Sequence, residues 1–99
     1  MPNVRRASAL LKAMANDRRL TILLHLSEGE KSVGQLERLV GLSQSALSQH
    51  LARLRREKVV ATRRAAQTIY YSVSSSEASA IMATLQSVFR DGGTRGSGD

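Results

Sequence analysis

Apolar residues recur along this chain at helical spacing, then at strand spacing, then at helical spacing again. Val4, Ala7, Leu10, Leu11 and Met14 predict a first helix. Asn16 is placed to cap a second helix, with Asp17 favourable at its positive end. Leu20, Ile22, Leu23, Leu24 and Leu26 make that helix apolar on most sides, so it is expected to be central and buried. Ser32 caps a third helix with Val33, Leu36, Leu39 and Val40 on its inner face, and Gly41 is the expected C-terminal glycine. Only Leu42 separates that glycine from Ser43, the N-cap of a fourth helix. There Leu47, Leu51 and Leu54 form one narrow stripe at i, i+4 and i+7. Two short helices joined by so tight a glycine-containing turn are the signature of a helix-turn-helix.

After Lys58 the spacing changes. Val59 to Arg64 and Gln67 to Val73 are rich in Val, Thr, Ile and Tyr and predict a two-stranded hairpin. Ile69, Tyr71 and Val73 alternate inward, and Tyr70 points the other way. The connection lacks Asn-Gly, which predicts a longer, mobile tip carrying Arg63 and Arg64. Ser74, Ser75 and Ser76 offer caps for a last helix. Its stripe is Ala78, Ile81, Met82, Leu85, Val88 and Phe89. The earlier elements already enclose a core, so Ile81, Met82, Leu85, Val88 and Phe89 are expected to meet a second subunit, together with Leu10 and Met14. The expected fold is mainly α with a two-stranded β-hairpin wing: four helices, two strands, one helix, assembled as a homodimer. Residues 1–91 are read as one domain and 92–99 (GGTRGSGD) as a flexible tail.

Charge adds the partner. Fifteen Lys and Arg stand against eight Asp and Glu, giving +7. Such a balance favours polyanions, nucleic acid first and an acidic membrane second. The charge is also uneven: between Ser43 and Val73 six bases face the single acid Glu57, five of the seven net positive charges. Opposite the leucine stripe, the fourth helix carries Ser45, Gln49, Arg53 and Arg56, with Gln44 and Ser48 on one flank. Amide and guanidinium groups make paired hydrogen bonds to base edges in the DNA major groove. Gln44, Ser45, Ser48 and Gln49 are therefore the base-reading candidates. Ser43, Arg53, Arg56, Arg63, Arg64, Gln67 and Thr68 are the candidates for the DNA backbone and the wing.

Other chemistry finds little support. There is no cysteine, hence no disulfide, thiolate metal site or thiol redox step. No Gly-rich phosphate loop, paired carboxylate cluster or nucleophile elbow is present, so neither an enzyme nor a cofactor is expected. His25 has no partners at metal-ligand spacing and is read as a partly buried structural residue; no metal site is expected. His50 lies between the leucine and basic faces, where it packs or touches a phosphate, with pH sensing as the other role open to it. No run of eighteen apolar residues exists, and the N-terminal apolar stretch is too short for a signal peptide, so no membrane is expected and the chain is read as cytoplasmic.

The stretches LLKAMANDRRLTIL (10–23), SVGQLERLVGLSQSALSQHLARLR (32–55) and AQTIYYSV (66–73) resemble the ArsR/SmtB family of bacterial winged helix-turn-helix repressors, and within it the HlyU, NolR and BigR group. The resemblance covers roughly residues 8 to 89. It implies a homodimer through the first and last helices, bound as a repressor to a palindromic, inverted-repeat operator in double-stranded DNA. Some members of the family sense metals through cysteines near the third helix, or through Asp and His paired across the last helices. Neither set is present here: residues 75–90 contain no His, and Glu77 is their one acid. The group's thiol switch places cysteines where this chain has Leu24 and Arg90. The resemblance therefore implies no response to persulfide, peroxide or zinc.

A second reading uses the same charge without sequence recognition: a non-specific architectural nucleic-acid-binding protein, or one bound to acidic membrane surfaces. Such a protein needs only charge, whereas the start of the fourth helix carries amides and hydroxyls.

Overall fold

Side-chain caps set where the helices begin. The Asn16 side chain accepts from the backbone N–H groups of Arg18 and Arg19 and opens α2 (Asp17–Leu26), which follows α1 (Val4–Met14). After β1 (Lys31–Ser32), Ser32 and Gln35 form a reciprocal capping box at the start of α3 (Val33–Val40). Gly41 ends α3 in the left-handed conformation, φ 74°, which favours a residue without a Cβ. Ser43 then caps α4 (Gln44–Arg56), its hydroxyl accepting from the Ala46 N–H at 3.1 Å. At the far end of α4, Val59 N–H bonds back to Leu54 and Lys58 N–H to Arg55, with Lys58 at φ 60°. This paired closure turns the chain sharply into β2 (Val60–Ala65) and β3 (Thr68–Val73). Ser75 caps α5 (Ser76–Asp91) through the Ala78 N–H. The computed structural model describes residues 3–91; the expected tail at 92–99 lies outside these residues.

The wing differs from its expected form in two respects. It is a three-stranded antiparallel sheet of order β1-β3-β2, because Lys31 and Ser32 pair with Tyr71 and Tyr70. A two-residue strand has no periodicity to show, so only the fold reveals it. The tip is also tight, not long: Ala65 pairs with Thr68, leaving Ala66 and Gln67 as the connection. Ala66 takes φ 56°, a conformation usually given to Gly or Asn. Arg63 and Arg64 thus lie within the paired strand, opposite Tyr70 and Ile69, and not at the tip.

One buried cluster joins every helix to the sheet. Ile22 and Leu23 of α2 meet Leu36 of α3, Leu47, Leu51 and Leu54 of α4, Tyr71 of β3, and Ala78 and Met82 of α5. Helix α2 packs on α1, α3, α4 and β3, so it is central as expected, although Leu24 faces outward. Leu39, expected on the inner face of α3, is 47% exposed. Met14 and Met82, expected at a subunit interface, are 2% and 4% exposed within one chain and are core residues of the protomer. Leu10, Ile81 and Leu85 pack partly against the same core.

Candidate nucleic-acid interface

The leucine stripe of α4 fixes the direction of its opposite side. At about 100° per residue, Ser45, Gln49, Ala52 and Arg56 lie farthest from Leu47, Leu51 and Leu54. All four are exposed, as are Gln44, Ser48 and Arg55 on the flank. Among the described residues, the side chains of Gln44, Ser45, Ser48 and Gln49 make no intramolecular hydrogen bond. Their donors and acceptors face solvent. Ser43 has spent an acceptor on Ala46, and its hydroxyl hydrogen remains free to donate.

Arg53 is set to one side of these residues. It is half-buried, about 40° around the helix from Gln49 on the side of His50. It lines a groove against α1 with Arg5, Ser8, Lys12 and Glu57. Arg56, Arg64, Gln67 and Thr68 are exposed. Arg63 is also exposed, but its guanidinium is held by Glu30 through two hydrogen bonds of 2.9 and 2.7 Å. The structure thus groups the α4 candidates and Arg56 on the outward side of the helix, sets Arg64, Gln67 and Thr68 on the wing, turns Arg53 toward the groove beside α1 and engages Arg63 with Glu30.

Arg19 ties α4 to the rest and was not singled out by its sequence pattern. Its Nε donates to the Ala13 carbonyl and its guanidinium to that of Lys12 at 3.3 Å, closing the C-terminal end of α1. The same guanidinium approaches His50 Nδ1 at 3.4 Å. That contact works only with a neutral imidazole accepting. Partial burial lowers the His50 pKa, and Arg19 and then Arg18 lower it further. Arg53, on α4 itself, adds a cation beside Arg19.

A base with a lowered folded pKa contributes stability in full above its ordinary value of 6.5 and loses it as pH falls toward the folded value. The thermal midpoint is therefore expected to fall in mild acid, below pH 6.5 and before the carboxylates titrate. His50→Asn should flatten that part of the profile. Equal slopes for the two proteins, read by calorimetry, would assign the acid sensitivity to another group.

A helix-turn-helix followed by a basic antiparallel wing, with an unspent polar face on the second helix of the pair, defines a winged helix-turn-helix nucleic-acid-binding protein. The chain belongs to the arsR family of bacterial regulatory proteins, whose family model matches residues 16–62. It is 53% identical over 87 residues to the transcriptional activator HlyU of Vibrio cholerae, covering 88% of this chain and 81% of that protein. The solved structure of that HlyU matches with a TM-score of 0.85, over 88% of this chain and 95% of the other. The repressor BigR of Xylella fastidiosa matches at 35% identity and TM-score 0.83, over 89% and 90% of the two chains. A winged helix-turn-helix DNA-binding domain from Mycobacterium bovis, described as homodimeric, matches at 28% identity and TM-score 0.81, over 93% and 84%. Among the described residues no helix is long and apolar enough to cross a membrane, and no three His, Asp or Glu side chains converge as a metal site.

Proposed function

We propose that this protein is a cytoplasmic repressor that binds an inverted-repeat operator in double-stranded DNA as a homodimer. The observation that carries the reading is the unspent polar face of α4: Gln44, Ser45, Ser48 and Gln49 present amides and hydroxyls, and Arg56 follows two turns later. Inserted in the major groove, the first two turns read base edges while Arg56 meets a phosphate. Arg64, Gln67 and Thr68 bring the wing to the backbone beside it. A dimer presents two such helices, which is why the operator is a palindrome. Repression then needs only that the bound dimer occupies promoter DNA.

The test separates reading from holding. The Gln49 amide pairs with adenine N6 and N7, a contact worth about 1–3 kcal/mol of discrimination. Gln49→Ala should weaken binding to a palindromic duplex selected by the protein from a random pool, and leave a scrambled duplex nearly unaffected. Arg64→Ala should weaken both duplexes and reduce the salt slope by about one per subunit. The measurement is fluorescence anisotropy on both duplexes across a salt series. Equal loss on both duplexes for Gln49→Ala would support a non-specific architectural binder. Tight binding to anionic vesicles, with none to DNA, would support a membrane-surface protein.

A further inference from the structure

Arg63 and Arg64 are neighbours in β2, and their side chains point to opposite faces of the sheet. Arg64 makes no ion pair among the described residues. Arg63 is bound on two sides. Its Nε donates to Glu30 Oε2 at 2.9 Å and its terminal nitrogen to Oε1 at 2.7 Å, a bidentate fork. Its guanidinium carbon also lies 4.7 Å from the centroid of the Tyr70 ring, the residue paired with it across the ladder. Glu30 reaches the wing from the loop between α2 and β1, and among the described residues no other acid pairs with Arg63.

A phosphate approaching Arg63 has two routes, and both are costly. It can stay outside the pair, where the Glu30 carboxylate cancels most of the guanidinium's field. It can instead displace Glu30, which leaves a carboxylate beside the DNA backbone, two like charges with no cation between them. Arg64 carries neither penalty. We infer that Glu30 sets the charge that the wing presents to DNA: it withholds Arg63, so that one wing arginine per subunit, Arg64, engages the phosphates. Glu30 is thereby a specificity-determining residue that never touches DNA. It limits the sequence-independent part of binding and leaves the base contacts of α4 a larger share. This rests on the DNA-binding reading above and deepens it.

Glu30→Gln keeps the side chain's shape and a hydrogen-bonding oxygen but removes its charge. On a random-sequence duplex, the slope of log K against log salt should become steeper by about one per subunit, because each released arginine displaces roughly one more counterion. Affinity for random DNA at low salt should rise, and the ratio of operator to random binding should fall. The double variant Glu30→Gln/Arg63→Ala has the wild-type wing charge and should return the slope to the wild-type value. If Arg63 instead engages phosphate in the wild-type complex, Glu30→Gln will leave the slope unchanged and the double variant will lower it, which overturns the inference. Arg64→Ala serves as the reference. Should it also leave the slope unchanged, the wing is not at the DNA and the wider assignment fails as well. If it lowers the slope while Glu30→Gln does nothing, the role of Glu30 alone is wrong. Circular dichroism and thermal melts of each variant establish that the fold is retained; the pair is half-exposed, so its removal leaves the core intact.

Discussion

Phe89→Asp is expected to convert the protein to monomers and to lower operator affinity by roughly 100-fold or more, the scale lost when two linked contacts become one. The reason is an apolar surface that one protomer cannot cover. Phe89 is 66% exposed and Val88 54% exposed on α5; Val4 and Leu11 of α1 are 62% and 52% exposed. An open groove of about 440 Å³ runs beside α1, lined by Val4, Ala7, Ser8, Leu11, Lys12 and Ala15. An exposed ion pair of 4.0 Å links Arg6 of α1 to Glu77 of α5. An isolated exposed Leu is ordinary, but several large apolar side chains on two neighbouring helices mark an association surface. A carboxylate at Phe89 would have to be buried without a partner, which the interface does not tolerate. Sedimentation velocity reads the mass, and anisotropy reads the affinity. A Phe89→Asp protein that sediments as a dimer and binds its operator at full strength would remove this surface from the assembly. Phe89 is a cleaner site than Leu85 for the test, because Leu85 also packs on the protomer's own core.

Leu47→Ala should destabilise the fold by about 2–5 kcal/mol, the cost of deleting a buried leucine side chain and leaving a cavity. Leu47 is fully buried, on the first turns of α4. It belongs to the one buried cluster that α4 shares with α2 and α3, both of which pack on α4. A domain of this size shifts its thermal midpoint by roughly 4–8 °C per kcal/mol, so the fall should be about 8 °C or more at fixed protein concentration. DNA binding below the lowered midpoint should persist, because the polar face of α4 is unchanged. A midpoint within about 3 °C of the wild type would mean that the site collapses around the smaller side chain.

The sequence alone was enough to place all five helices and the caps at Asn16, Ser32 and Ser43, because each rests on local chemistry: an apolar spacing or a side-chain oxygen that meets a backbone N–H a few residues on. The outward face of α4 was legible for the same reason. Once Leu47, Leu51 and Leu54 are buried, helical geometry directs Ser45, Gln49 and Arg56 to solvent. What depended on residues distant in the chain was decided only by the tertiary structure. Arg63 and Arg64 have the same side chain and adjacent positions, yet Glu30, 33 residues before Arg63, engages one and leaves the other. Lys31 and Ser32 become a strand only because β3 offers them an edge. Met14 and Met82 share helical stripes with Leu11 and Phe89, but the first two are buried in the protomer and the last two are left outside. Periodicity says which side of a helix is apolar. How much of that side its own chain covers is set by the packing of the other elements, and the sequence encodes that only through the fold as a whole.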